Sequence, residues 1–212
     1  MVREIIFDFD GTVADSFGAM MEIFGEHKKE FGFEKFGKEE LKIYREFGVA
    51  NLIKERKISI WKVFKILRVG KKLMNQKIKS VKPFEGIREM LMELKKRGLI
   101  LGIISTNSEE NITNFLKKNK IEMFDYVVGK GSLFGKKRVI KNILKKRKLK
   151  KNQVLYVGDE VRDIEACKKL GIKVAAVTWG FSDEKLLAKN RPNYLVKKTK
   201  ELKYVIDLNL KY

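Results

Sequence analysis

The sequence predicts an α/β fold, a parallel sheet wrapped in helices, on three observations. Short apolar runs rich in β-branched residues recur at 2–7, 99–104, 126–128, 154–157 and 174–177. Amphipathic segments at 85–97, 109–118, 136–146 and 164–170 alternate with the later runs, as in a sheet built from strand-helix-strand units. A helical stretch, 15–82, interrupts the order after the first run and reads as an insertion ending near Pro83.

The first run, 2–7, is broken by Asp8, so it predicts a buried strand ending in a polar turn. Phe17, Met20, Met21 and Phe24 recur at helical spacing in 15–31, and Trp61, Phe64, Ile66 and Leu67 do so in 60–74; Trp61 is expected in the core of the insertion. The helix at 85–97 is ended by Gly98 and leads into the second strand. No internal repeat or low-complexity linker divides the chain, giving a core of 1–14 and 83–212 and an insertion of 15–82.

The 212 residues are enough for one good-sized α/β domain with a small insert. Apolar residues at 44% and only two prolines argue against disorder. The longest apolar stretch, 99–104, is far short of the roughly 20 residues of a spanning helix. Glu4, Asp8 and Asp10 stand where a secretory signal would be basic and then apolar, which predicts a cytoplasmic protein without a membrane partner. One cysteine, Cys167, and one histidine, His27, exclude an internal disulfide and a histidine- or cysteine-built metal centre. Both read as packing or surface residues, and any metal must be held by oxygen.

Net charge is +21, from 48 Lys+Arg against 27 Asp+Glu, which favours anionic partners. The excess gathers in 54–82 and 136–151, runs that read first as solvated helix faces and second as a nucleic-acid surface, although few aromatics interleave them.

The chemistry gathers at the strand ends, where ligands sit in open α/β sheets. The first strand runs into Asp8-Phe9-Asp10-Gly11-Thr12, with two carboxylates on one side of an extended backbone. Such a pair can hold a hard cation such as Mg2+, and one member can act as nucleophile. Gly11 permits a sharp turn and Thr12 offers a hydroxyl. The second strand ends at Ser105-Thr106-Asn107, able to bind an anion or simply to cap the next helix. Asp159 and Asp163 stand four residues apart after the strand at 154–157, a credible metal clamp. Lys136 and Lys137 open a helix after the 131–135 loop, where an ammonium can neutralise phosphate or a carboxylate. Trp179, beside Gly180, reads as lining the mouth of the site or as packing.

In this order the pieces DFDGT, IIST, the lysine-opened helix, GDEVRD, AVTWGF and PNYLV resemble the haloacid dehalogenase-like hydrolase superfamily, its phosphoglycolate phosphatase-like members in particular. The resemblance covers nearly the whole chain. It implies a Rossmann-like core with an inserted all-helical cap, and a Mg2+-dependent phosphatase hydrolysing a small phosphorylated metabolite such as a phosphoglycolate-like compound or a sugar phosphate. By the same resemblance Asp8 is the nucleophile that becomes an aspartyl phosphate, and Asp10 is the acid and then the base. Gly11, Thr12, Ser105, Thr106 and Lys136 contact the phosphate. Asp8, the Asp10 carbonyl and Asp159 hold the metal, with Asp163 as ligand or outer partner. Lys137 is the rival to Lys136, because the prolines usual after the lysine are absent. An acid at Asp10 disfavours carbon–halogen cleavage, which has no leaving oxygen to protonate. Selectivity is expected from cap side chains such as Arg45, Lys54 and Arg56. A phosphosugar mutase uses the same residues, and a nucleic-acid-binding protein with end-phosphatase activity is the third reading; the protein is expected to be a monomer or homodimer.

Overall fold

The computed structural model of the protein describes residues 1–31, 37–129 and 135–210. Most of the loop before Lys136 and the Leu67 side chain lie outside what is described. Six strands, β1 (Glu4–Phe7), β2 (Ile100–Ile104), β3 (Tyr126–Val128), β4 (Val154–Gly158), β5 (Lys173–Val177) and β6 (Tyr194–Val196), form one sheet in the order β3-β2-β1-β4-β5-β6. Every pairing is parallel, with Phe7 set between Ile103 and Val157. A parallel sheet needs cover on both faces, and the side chains divide accordingly. Ile5, Phe7, Leu101, Ile103, Leu155 and Val157 enter one apolar cluster. Ile6, Ile104, Val154 and Tyr156 enter the other, so the alternation along each strand feeds two cores.

Helices cover both faces. The amphipathic α5 (Ile87–Lys96), α6 (Glu109–Lys118), α7 (Lys136–Lys146) and α8 (Val161–Leu170) fall where their periodicity predicts them, although α8 starts three residues earlier than expected. The cause is Asp163, whose side chain reaches back to the Glu160 backbone N–H at 3.1 Å and closes the first turn. Two further helices, α9 (Glu184–Lys189) and α10 (Thr199–Leu210), were not foreseen. Leu202 and Ile206 of α10 are buried, but tertiary packing selects this short stripe more than local pattern does.

The insertion between β1 and α5 holds α1 (Phe17–Glu26), α2 (Lys38–Phe47), α3 (Val49–Glu55) and α4 (Ile60–Lys77). The chain leaves and re-enters the core at adjacent points: Asp15 N–H donates to the Lys82 carbonyl at 2.9 Å, and Phe84 N–H to that of Val13 at 3.2 Å. The expectation that Trp61 packs inside is corrected, since it is 80% exposed and Phe64 is 53% exposed. The inward face of α4 runs instead through Val63, Ile66, Gly70 and Met74. Helical spacing marks a stripe, but with apolar residues on two sides of α4 it does not say which stripe is covered.

Candidate active site

β1 lies where the strand order turns, with β2 on one side and β4 on the other, and ligand crevices form beyond the carboxyl ends of such strands. Asp8, Ser105 and Asp159 are the residues directly after β1, β2 and β4, so neighbouring strands bring three distant segments together. Asp8 is buried, held by its N–H on the Val157 carbonyl at 2.8 Å and by the Phe9 N–H on its Oδ1 at 2.8 Å. Lys136, at the start of α7, places Nζ 2.7 Å from Asp8 Oδ2 and also donates to Asp163 Oδ1. Lys137 is exposed, one residue further round the helix.

Asp8, Asp159 and Asp163 bring a carboxylate oxygen each to within 4.8 Å of one another, all three buried. Room for them depends on glycines. A Cβ on Gly11 would stand 2.2 Å, and one on Gly180 2.3 Å, from Asp159 Oδ2, while one on Gly158 would meet Asp163 Oδ2 at 2.4 Å. Gly11 also adopts φ +77°, in the left-handed region that side chains rarely tolerate. Asp159 accepts the Thr12 hydroxyl on Oδ1 at 2.8 Å and the Phe181 N–H on Oδ2 at 2.8 Å.

The electrostatics favour an added cation. Burial pushes the Asp8 carboxyl up to about 7, against the pull of Lys136 and with the push of Asp163. Burial, then repulsion from Glu160, Asp8 and Asp163, carries Asp159 well above the usual carboxylate range. Burial also works against the Lys136 charge, but Asp163 and Asp8 outweigh it and keep the ammonium protonated. The Lys136 ammonium pairs with two of the three buried carboxylates, Asp8 and Asp163, and the three offer an all-oxygen donor set that suits a hard divalent ion.

Asp10 is half-buried and faces outward, onto a cavity of about 190 Å3 that it shares with Thr106, Asn107 and Arg162. Burial raises its carboxyl, opposed in part by the Asn107 amide, which donates to Oδ2 at 3.1 Å and more weakly to Oδ1 at 3.4 Å. Asn107 is itself locked, since its Oδ1 accepts from Ser108 N–H at 2.9 Å and Asn111 Nδ2 at 2.8 Å. Ser105 is buried, with Oγ accepting from Asn107 N–H at 3.0 Å and no acceptor for its hydroxyl hydrogen among the described residues. The cap of α6 is Ser108, which accepts from Asn111 N–H at 3.1 Å; Ser105 and Thr106 therefore do not cap it.

Thr12 spends its hydroxyl hydrogen on Asp159, and the N–H groups of Gly11 and Thr12 donate to the Ala14 and Phe9 carbonyls. These hydrogen bonds close the loop on itself, and the Thr12 hydroxyl holds Asp159. Of the basic side chains of the insertion, Arg56 pairs with Glu40 at 2.9 Å, Arg45 stacks over Phe17, and Lys54 is exposed. None of them lines the cavity.

Sequence reasoning missed Glu160, Tyr44 and Arg162 as a linked group. Tyr44 of α2 donates to Glu160 Oε1 at 2.6 Å and Arg162 Nε to Oε2 at 2.5 Å, tying the insertion to the loop after β4. GDEVRD carried a signal in its Glu-Arg pair; Tyr44, 116 residues away, had none. Trp179 braces the loop, its Nε1 donating to the Thr12 carbonyl at 3.2 Å, and does not line the cavity. Cys167 is buried in packing, and His27 faces Glu30 at the end of α1.

The site is a crevice of acids with a buried lysine, set at the strand ends of a parallel α/β sheet. Residues 5–177 match the family model described as haloacid dehalogenase-like hydrolase, and the chain belongs to that family. It is similar to the phosphoglycolate phosphatase of Synechococcus elongatus, 30% identical over 202 residues that cover 95% of each chain. Similarity to the phosphoglycolate phosphatase of Aquifex aeolicus is 30% over 185 residues, covering 85% of this chain and 86% of that protein. Pyrophosphatase PpaX of Bacillus anthracis is 30% identical over 134 residues, covering 61% of this chain and 62% of its own. Among solved structures, a phosphatase predicted in Clostridium acetobutylicum shares the fold with a TM-score of 0.83 at 20% identity, over 97% of this chain and 99% of that one. Among the described residues no helix is long and apolar enough to cross a membrane.

Proposed function

We propose that the protein is a Mg2+-dependent phosphatase acting on a small phosphorylated metabolite through an aspartyl phosphate on Asp8. The observation that carries this reading is the pairing of Asp8 with the Lys136 ammonium at 2.7 Å, behind an Asp10 that opens onto the cavity. The names of the Synechococcus and Aquifex relatives support it.

Asp8, Asp159 and the Asp10 carbonyl would hold Mg2+, with Asp163 beside them; the bound ion supplies positive charge to the phosphate oxygens and to the Asp8 carboxylate. An Asp8 oxygen attacks phosphorus as the ester P–O bond breaks, and Asp10 gives its proton to the departing alkoxide. Asp10 then takes a proton from water. The resulting hydroxide attacks phosphorus and releases phosphate and the Asp8 carboxylate. Burial raises the Asp10 carboxyl above its ordinary range, which favours the protonated form that the departing alkoxide needs. Asn107 keeps its oxygens aimed, Ser105 and Thr106 grip phosphate oxygens, and Lys136 steadies Asp8 as charge moves through it. Residues 15–82 act as the cap that covers the substrate's organic part, with 1–14 and 83–212 as the catalytic core.

The test is hydrolysis of p-nitrophenyl phosphate. We expect turnover with Mg2+, its loss on chelation, and a fall of at least about a thousandfold in Asp8→Asn. Undiminished turnover in Asp8→Asn would refute the nucleophile.

A further inference from the structure

The cavity that opens at Asp10 has two chemically different ends. Asp10, Thr106, Asn107 and Arg162 stand at the end facing the acids. Lys71 belongs to that end too, since its carbonyl accepts from the same Asn111 Nδ2 that bonds Asn107. Beyond them the wall is hydrocarbon: Met20 and Phe24 of α1, Leu52 and Ile53 of α3, and Val63 and Ile66 of α4. Tyr44 is the polar exception on that wall, and its hydroxyl is already spent on Glu160. The Arg162 charge is likewise met by Glu160, and its Nη1, buried and without a partner among the described residues, offers one donor in the cavity that Asp10 lines.

Resting on the phosphatase reading, we infer that the favoured substrate is a phosphomonoester whose organic part is apolar, a branched alkyl chain or a single ring, and not a carboxylate or a polyol. The phosphate occupies the acid end, the ester oxygen stands at Asp10, and the hydrocarbon fills the space between α1, α3 and α4. Size agrees: an apolar cavity of about 150 Å3 takes up benzene, and this one is about 190 Å3. A sugar or a glycolate seated against that wall would bury hydroxyls or a carboxylate among Met, Leu and Ile side chains that offer no hydrogen-bond partner. The apolar lining is not needed for the chemistry at Asp8, and only the organic group of the ester would benefit from it.

Phosphate release by the Mg2+-loaded protein is compared across ethyl, butyl and 3-methylbutyl phosphate, phosphoglycolate and glucose 6-phosphate. Binding of methyl- and 3-methylbutylphosphonate is followed by calorimetry. We expect kcat/KM to rise about tenfold or more from ethyl to 3-methylbutyl phosphate, and phosphoglycolate and glucose 6-phosphate to fall at least about tenfold below the latter. In Ile53→Asn the alkyl advantage should shrink to a few-fold. Release that is indifferent to chain length, or best with phosphoglycolate, would overturn the apolar seat and leave the phosphatase standing. If no ester is hydrolysed but 3-methylbutylphosphonate still binds more tightly than methylphosphonate, the phosphatase reading fails and the apolar seat holds. Absence of both effects overturns both.

Discussion

Lys136 Nζ stands 2.7 Å from Asp8 Oδ2, although 128 residues separate them in the chain. The same ammonium donates to Asp163, so one cation at the start of α7 joins the end of β1 to the first turn of α8. Removing it would leave two buried carboxylates without their counter-charge. Lys136→Met should lose about 3–5 kcal/mol of stability together with hydrolysis. Lys137→Ala, on the exposed side of α7, should stay within about 0.5 kcal/mol and keep its activity. Denaturant titration and p-nitrophenyl phosphate turnover of the two variants check this, and equal behaviour would put the lysine's role elsewhere.

Asp8 carries a pH signature in the metal-free protein. Burial raises its carboxyl from 3.8 to about 7, so the folded state prefers it protonated. Its contribution to stability is complete below pH 3.8 and is lost as pH rises through about 7. Asp8→Asn removes that loss. With chelator present, the Tm of Asp8→Asn minus that of the natural protein should grow between pH 4 and 7, and a difference independent of pH would contradict the assignment.

Gly180 lies outside the acidic motifs, yet a Cβ there would come within 2.3 Å of Asp159 Oδ2 and 2.4 Å of the Gly11 carbonyl. Gly180→Ala should displace Asp159 and weaken Mg2+ affinity about tenfold or more. Titration of activity against Mg2+ measures it. An unchanged midpoint would show that Asp159 tolerates the shift or is not a ligand.

The insertion offers a control on packing. Trp61 is 80% exposed and Val63 only 5% exposed, two residues apart on α4. Trp61→Ala should cost within about 0.5 kcal/mol, whereas Val63→Ala should cost about 2 kcal/mol. Thermal unfolding separates the two, and the reverse order would mean that another surface covers Trp61.

What was legible in the sequence was local. Runs such as Ile5-Ile6-Phe7 and Val154-Leu155-Tyr156-Val157 announce buried parallel strands because a strand covered on both faces is apolar at nearly every position. Asp8, Asp10, Ser105, Asp159 and Asp163 could be singled out because each follows a strand end, where backbone geometry exposes polar groups. The sheet order decided the rest. Placing β1 between β2 and β4 brings Asp8 and the Thr12 hydroxyl to Asp159, and the turn of α7 sets Lys136 against Asp8 while Lys137 stays exposed. Helix packing decided that Val63 faces inward and Trp61 outward, and that the cavity is walled by Met20, Leu52 and Ile66. Periodicity reports that a face is apolar. Which neighbour covers that face, and which donor a carboxylate meets, depends on contacts between residues more than a hundred positions apart, and these exist only once the chain has folded.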